Sequence, residues 1–290
     1  MLVHLTTMNR FYSMSILVSL CWCLGACSAS PTPEPSLWGL YNVSEGEAKT
    51  QLAAEIYRLC GHDEHNAVAP SCQLEQAAQR DEDAPAPIAF ANASAAEILA
   101  HLAEFPQASM PVIMPIVQQT AQATQFQPDL QAYELQFSED ERLAAAATSV
   151  QAADEETVPS TAPALPESDL QWYRTGLSYE YGVLYGLQVS RAYTNPAQDA
   201  QIDALIKVHE TIIDALETHV ATTGATPIPE PGYTFTTAAQ PTDAQQAEAF
   251  VRELHTTMVN WWLSVPAHVT DPQHRVVAAA IALLLDAHTP

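Results

Sequence analysis

An all-α fold ending in a four-helix bundle is what the sequence predicts, on three observations. Apolar residues recur at three- and four-residue spacing through long segments. Helix-capping patterns stand ahead of several of these segments. No stretch in the first half alternates as a half-buried strand would. The 290 residues suffice for one or two domains, and a hydrophobic share of 48% excludes wholesale disorder. With 34 acidic against 10 basic residues the net charge is −24. That balance argues against nucleic acid, whose phosphates need Lys and Arg, and against electrostatic docking on anionic lipid.

Residues 1–26 read as a signal peptide. They hold no Asp or Glu, and Arg10 supplies the positive n-region. The apolar run Met14 to Leu24 is too short to span a bilayer as a helix, which takes about 20 residues. Met8 and Met14 are alternative starts. The run ends in Leu24-Gly25-Ala26-Cys27, similar to the lipobox of bacterial lipoproteins. The resemblance implies cleavage before Cys27 and acylation of its thiol, and two or more acyl chains anchor stably where one is marginal. An ordinary secretory signal is the alternative. The expected location is the extracytoplasmic face of the cell membrane.

Residues 27–43 read as the lipidated cysteine and a tether, since Ser28 to Pro35 is Pro/Ser-rich. Residues 44–150 read as an irregular helical region. Ser44-x-x-Glu47 and Ser94-x-x-Glu97 are capping boxes, Pro111 and Pro115 break or kink the apolar stretch they sit in, and a further helix is expected after Pro128. Beyond the signal and Cys27, the remaining cysteines are Cys60 and Cys72. In an exported chain they read as one disulfide. Neighbouring His62, Asp63, Glu64 and His65 raise a zinc alternative, although the spacing matches no standard finger. Residues 151–168, acidic, Pro-rich and without aromatics, read as a linker.

Residues 169–290 show four amphipathic helices joined by short loops and one Pro-rich crossover, the pattern of a ferritin-like bundle. The first, about Asp169 to Ala192 and capped by Ser168 or Asp169, turns Leu170, Tyr173, Leu177, Glu180, Leu184 and Leu187 inward. The second, from about Pro196 to Val220, turns Ile202, Leu205, His209, Ile212 and Leu216 inward, with Gly224 as its stop. Thr242-x-x-Gln245 caps the third, with Val251, Leu254, Met258 and Trp261 inward. Asp271 and Pro272 open the fourth, whose stripe is Val277, Ile281, Leu284 and His288.

Several fragments of this half, in order, carry a family likeness: Glu180 and Tyr185 in LSYEYGVLYGLQ, His209 followed by Asp214-Ala215-Leu216, GATPIPEPGY with Gly224 and Tyr233, PTDAQQA with Glu253 beyond it, and Arg275. Residues of about 168–290 resemble the ferritin-like domain of unknown function found in actinobacterial cell-envelope lipoproteins. The resemblance implies an all-helical bundle on an exported lipoprotein and no established activity.

A di-iron bundle needs four carboxylates and two histidines, including two Glu-x-x-His pairs. Glu180 and His209 fall on inward stripes, with Glu253 at the edge of the third. The positions three before His209 and His288 are Ile206 and Leu285, so two required carboxylates are missing. The expectation is therefore a buried, mutually satisfied Glu180–His209 pair, with no cofactor. The alternative is iron, manganese or zinc held in a non-standard way by Glu180, His209 and Glu253. His101, His219, His255, His268 and His274 are expected at the surface. Trp261 and Trp262 are adjacent, so both cannot face one core, and the outward one marks a candidate partner surface.

No Gly-x-Ser-x-Gly, phosphate loop or His-Glu-x-x-His is present, which leans the reading away from an enzyme. The leading expectation is a binding or scaffold role, with acidity suited to a basic protein partner. A metal-dependent redox or metal-storage protein is the runner-up.

Overall fold

The computed structural model describes residues 31–62, 67–74, 85–133, 166–221, 226–235 and 239–290. The signal and Cys27, residues 63–66, the stretch from 134 to the linker's residue 165, and Gly224 lie outside the described residues. The fold is all-α. Among the described residues there is no strand, only an isolated bridge between His62 and Val68, and no helix is long and apolar enough to cross a membrane. The chain divides into two compact units.

The smaller unit comprises Met1–Pro33 and Tyr57–Pro85. Its described part is built on the disulfide Cys60–Cys72, whose Cα atoms stand 6.4 Å apart across a separation of 12 residues. Gly61, in the left-handed region at φ 75°, ends the helix that carries Cys60 and turns the chain towards the 3-10 turn Pro70–Cys72. Ser71 Oγ donates to the Pro31 carbonyl at 2.6 Å.

The larger unit, Glu34–Ile56 with Ala86–Pro290, begins with a helix absent from the sequence reading, α1 (Pro35–Val43). Glu34 caps it by accepting from the Leu37 N–H at 2.8 Å, and Pro35 occupies the first turn, where no N–H is needed. Ser44 closes this helix rather than opening the next: its N–H and Oγ both return to the Leu40 carbonyl. The next helix, α2 (Gly46–Cys60), opens on Gly46 in the left-handed region at φ 58°. Ser94 caps α3 (Ala95–Ala100) as expected, accepting from the Glu97 N–H at 3.3 Å. Of the expected break or kink at the two prolines, the break is absent: α4 runs through from Met110 to Thr124. Pro111 lies in its first turn and Pro115 sits on its exposed face, which limits the cost of the missing donor. After Pro128 the described chain forms a 3-10 turn, Leu130–Tyr133.

The second half contains α5 (Glu167–Ser190), α6 (Pro196–Ala221), α7 (Ala244–Ser264) and α8 (Pro272–Asp286). α5 packs along α6 and α7, and α7 packs along α8. The cap of α7 is Asp243, which accepts from the Gln246 N–H at 2.9 Å, one residue later than the expected Thr242 box. Asp271 caps α8 as expected, accepting from the Gln273 and His274 N–H groups. Tyr181 and Tyr233 hold the Pro-rich crossover down. The Tyr181 hydroxyl donates to Glu217 at 2.6 Å and reaches the Pro227 carbonyl, while Tyr233 lies over Gly182.

α8 is the pivot of this unit. Residues 278–283 are all buried, because α7 covers one side while α3, α4 and the 3-10 turn Leu102–Glu104 cover the other. A helix that is apolar all round is a buried one, and AAAIALLL meets that description. Of the expected stripe, Ile281 is buried while Val277, Leu284 and His288 are only partly covered. Polar ties reinforce the packing: Arg275 Nη1 donates to the Phe105 carbonyl at 2.7 Å, and Gln118 and Gln122 donate to Asp286 at 2.8 and 3.1 Å.

Candidate functional site

One buried polar chain links all four helices of the second half. Glu180 on α5, His209 on α6, and His255 and Trp262 on α7 are each fully buried. The Trp262 indole N–H donates to Glu180 Oε1 at 2.8 Å, and Glu180 Oε2 meets His209 Nδ1 at 2.5 Å. His209 Nε2 faces His255 Nδ1 at 3.4 Å, and His255 Nε2 donates to the Leu285 carbonyl on α8 at 2.9 Å. Gly176, one turn before Glu180, makes the approach possible. A Cβ there would stand 2.6 Å from the Trp262 ring.

The proton inventory follows from the last link. A carbonyl only accepts, so His255 carries its hydrogen on Nε2 and accepts at Nδ1. Burial, with His209 adding, pushes its pKa down to about 4 against the opposing Leu285 hydrogen bond, so the ring is neutral at pH 7. His209 therefore donates through Nε2. His209 Nδ1 and Glu180 Oε2 close the remaining contact of the chain.

In the structure these groups answer one another. Both Glu180 oxygens and both His209 nitrogens are committed to partners within the chain, as are both nitrogens of His255. Glu253 is exposed on α7, away from this core. Among the described residues no group of three or more His, Cys, Asp or Glu is arranged to hold a metal ion.

Of the histidines expected at the surface, His255, His219 and His274 are buried instead. His219 and His274 form a second cluster with Tyr173, ring centroids 4.6 to 5.7 Å apart. The Tyr173 hydroxyl donates to the His274 carbonyl at 2.5 Å. Burial, followed by the nearby His274, pushes the His219 pKa down to about 3. Burial also lowers the His274 pKa, against the pull of Asp271 and Asp169. Asp169 is not the cap of α5. It is fully buried and accepts from the N–H groups of Thr270 and Asp271 and from the Thr270 hydroxyl.

The missed residues did carry a signal. The α6 stripe, continued three positions beyond Leu216, reaches His219. On α7 the register Val251, His255, Met258, Trp262 is as helical as the one through Leu254 and Trp261. Trp262 is the inward tryptophan, and Trp261 is half-buried at the surface.

Trp261 belongs to an outward aromatic group. Its ring meets Tyr179, 48% exposed, edge-on at 5.3 Å, and Trp172 at 6.1 Å. Trp172 in turn stacks on His268 at 4.4 Å. His268 also ends a groove of about 430 Å³ between α4 and the end of α7. Met110 and Met114 form its buried floor, Pro111 and Pro115 one exposed wall, and Leu263 and Ala267 the other. The lining includes Asn260, Ser264 and Gln118 but no Asp, Glu, Lys or Arg.

Residues 173–289 match the model of a family described as a domain of unknown function, DUF4439. The match takes in nearly all of α5 to α8, and with them Glu180, His209, His255 and Trp262. No curated protein and no solved structure matches the chain.

Proposed function

We propose that this chain is an exported, lipid-anchored protein of the cell envelope that works by binding. Its second half, read as a ferritin-like four-helix bundle, serves as scaffold rather than metal centre. The observation that carries the reading is the outward aromatic group continuous with an apolar groove. Exposed patches of this kind mark interaction sites. The buried Glu180–His209–His255 chain supports the scaffold half of the reading, because its polar groups answer one another and specify how four helices meet. The lipobox-like Leu24-Gly25-Ala26-Cys27 supports the anchor, and the Cys60–Cys72 disulfide agrees with an oxidising compartment. A charge of −24 favours long-range steering of a basic protein partner.

Binding is tested with the neutral apolar dye Nile red, on the full chain carrying Cys27→Ser so that no acyl chain competes. Saturable fluorescence enhancement, reduced about tenfold in affinity by Pro115→Glu, is the expected result. Equal binding by both proteins would place the dye elsewhere and remove the groove from the argument. The anchor is tested by detergent phase partition of the native chain, which Cys27→Ala shifts to the aqueous phase.

A further inference from the structure

We propose that the groove and its aromatic flank form a site for a proline-rich segment in the polyproline II conformation. The inference rests on the binding reading above and names its ligand class.

Three features of the surface select this chemistry. First, the groove lining holds no Asp, Glu, Lys or Arg in a chain of net charge −24. A charged ligand segment would lose hydration there without gaining a partner, so the occupant is neutral where it lies. Second, the walls offer apolar faces rather than a dense array of donors and acceptors. Proline rings supply matching apolar faces, and a polyproline II segment is already ordered, so little entropy is lost on docking. Third, two indole donors belong to the aromatic group that meets the groove at His268. Neither the Trp172 nor the Trp261 indole N–H is spent on an acceptor among the described residues, and neither is a buried orphan. Polyproline II leaves its carbonyls without internal partners and pointing outward, the acceptors such donors need. An acyl chain would use the groove but leave both indole donors unanswered. A helix would keep its carbonyls to itself.

The indole N–H resonances give an internal control. The probe is capped hexaproline, added to the nitrogen-15-labelled full chain carrying Cys27→Ser. The Trp172 and Trp261 resonances shift saturably, and the Trp262 resonance, held on Glu180, stays in place. Trp172→Ala and Pro115→Glu each weaken the affinity about tenfold or more. Because the contact is uncharged, raising the salt concentration leaves the affinity nearly unchanged. A capped Gly/Ser hexamer producing the same shifts would overturn the proposal, as would no movement of Trp172 and Trp261 with hexaproline at millimolar concentration. If Nile red still moves those two resonances, only the ligand class is wrong; if neither probe moves them, the binding reading falls with it.

Discussion

Lowering the pH from 7 to 5 should unfold this protein far more readily, and two histidines set the magnitude. His255 and His219 are buried neutral, with pKa values pushed down to about 4 and about 3 by loss of water. In the unfolded chain each titrates near 6.5. Below that value the unfolded state binds protons that the folded state refuses, so stability is full above about pH 6.5 and falls as the pH drops towards the folded pKa values. At pH 5 each site costs about 2 kcal/mol, or about 4 kcal/mol together, by the linkage relation. That is a large part of the roughly 5–15 kcal/mol that holds a typical domain folded. His274, lowered by burial as well, acts in the same direction. Carboxylates titrate mostly below this window, so the slope between pH 6.5 and 5 belongs to the histidines. The assay is urea unfolding by circular dichroism at pH 7, 6 and 5, on the native chain and on His219→Phe. The expected result is a midpoint that falls by more than about 1 M, with roughly a third to a half of the fall abolished in the variant. A native midpoint independent of pH, or an identical slope in His219→Phe, would refute the buried neutral histidines.

Other outcomes follow from individual contacts. Glu180→Ala leaves the Trp262 donor and His209 unanswered in the core and costs about 3–5 kcal/mol, whereas Glu180→Gln, which keeps an acceptor for Trp262, costs less; comparable losses in urea unfolding would sink the proposed wiring. Gly39→Ala drives a Cβ into the Ile88 carbonyl oxygen and lowers stability by about 1–3 kcal/mol, as overpacking does; a thermal midpoint equal to that of the native chain would show that α1 is not seated on residue 88. Reducing the Cys60–Cys72 bond removes the constraint on a 12-residue separation, worth up to about 3 kcal/mol in the chain-entropy model, and two free thiols counted before reduction would contradict it.

The parts of the site legible in the sequence are those set by short spacing. Glu180 and His209 lie on stripes of three- and four-residue period, and both are buried and paired. His255 and Trp262 were misplaced because two registers of α7 are equally periodic, and only the neighbouring helices choose between them. Asp169 looked like a cap because it stands at the start of a helix. Its hydrogen bonds instead go to residues 101 and 102 positions away, a distance over which no local preference extends.

The sequence by itself determined the all-α character, the caps at Ser94 and Asp271, and the split of duty between two adjacent tryptophans. Each depends on backbone groups or side-chain directions within about one turn, where helix geometry dictates who meets whom. Tertiary structure alone decided that His219, His255 and His274 are buried, that Trp262 rather than Trp261 reaches Glu180, and that α8 is enclosed from both sides. Those outcomes turn on which surfaces are brought together, and burial is a property of the assembled unit. A lone histidine is as soluble on a helix as any polar residue; it becomes a neutral buried group only when other helices take its water away.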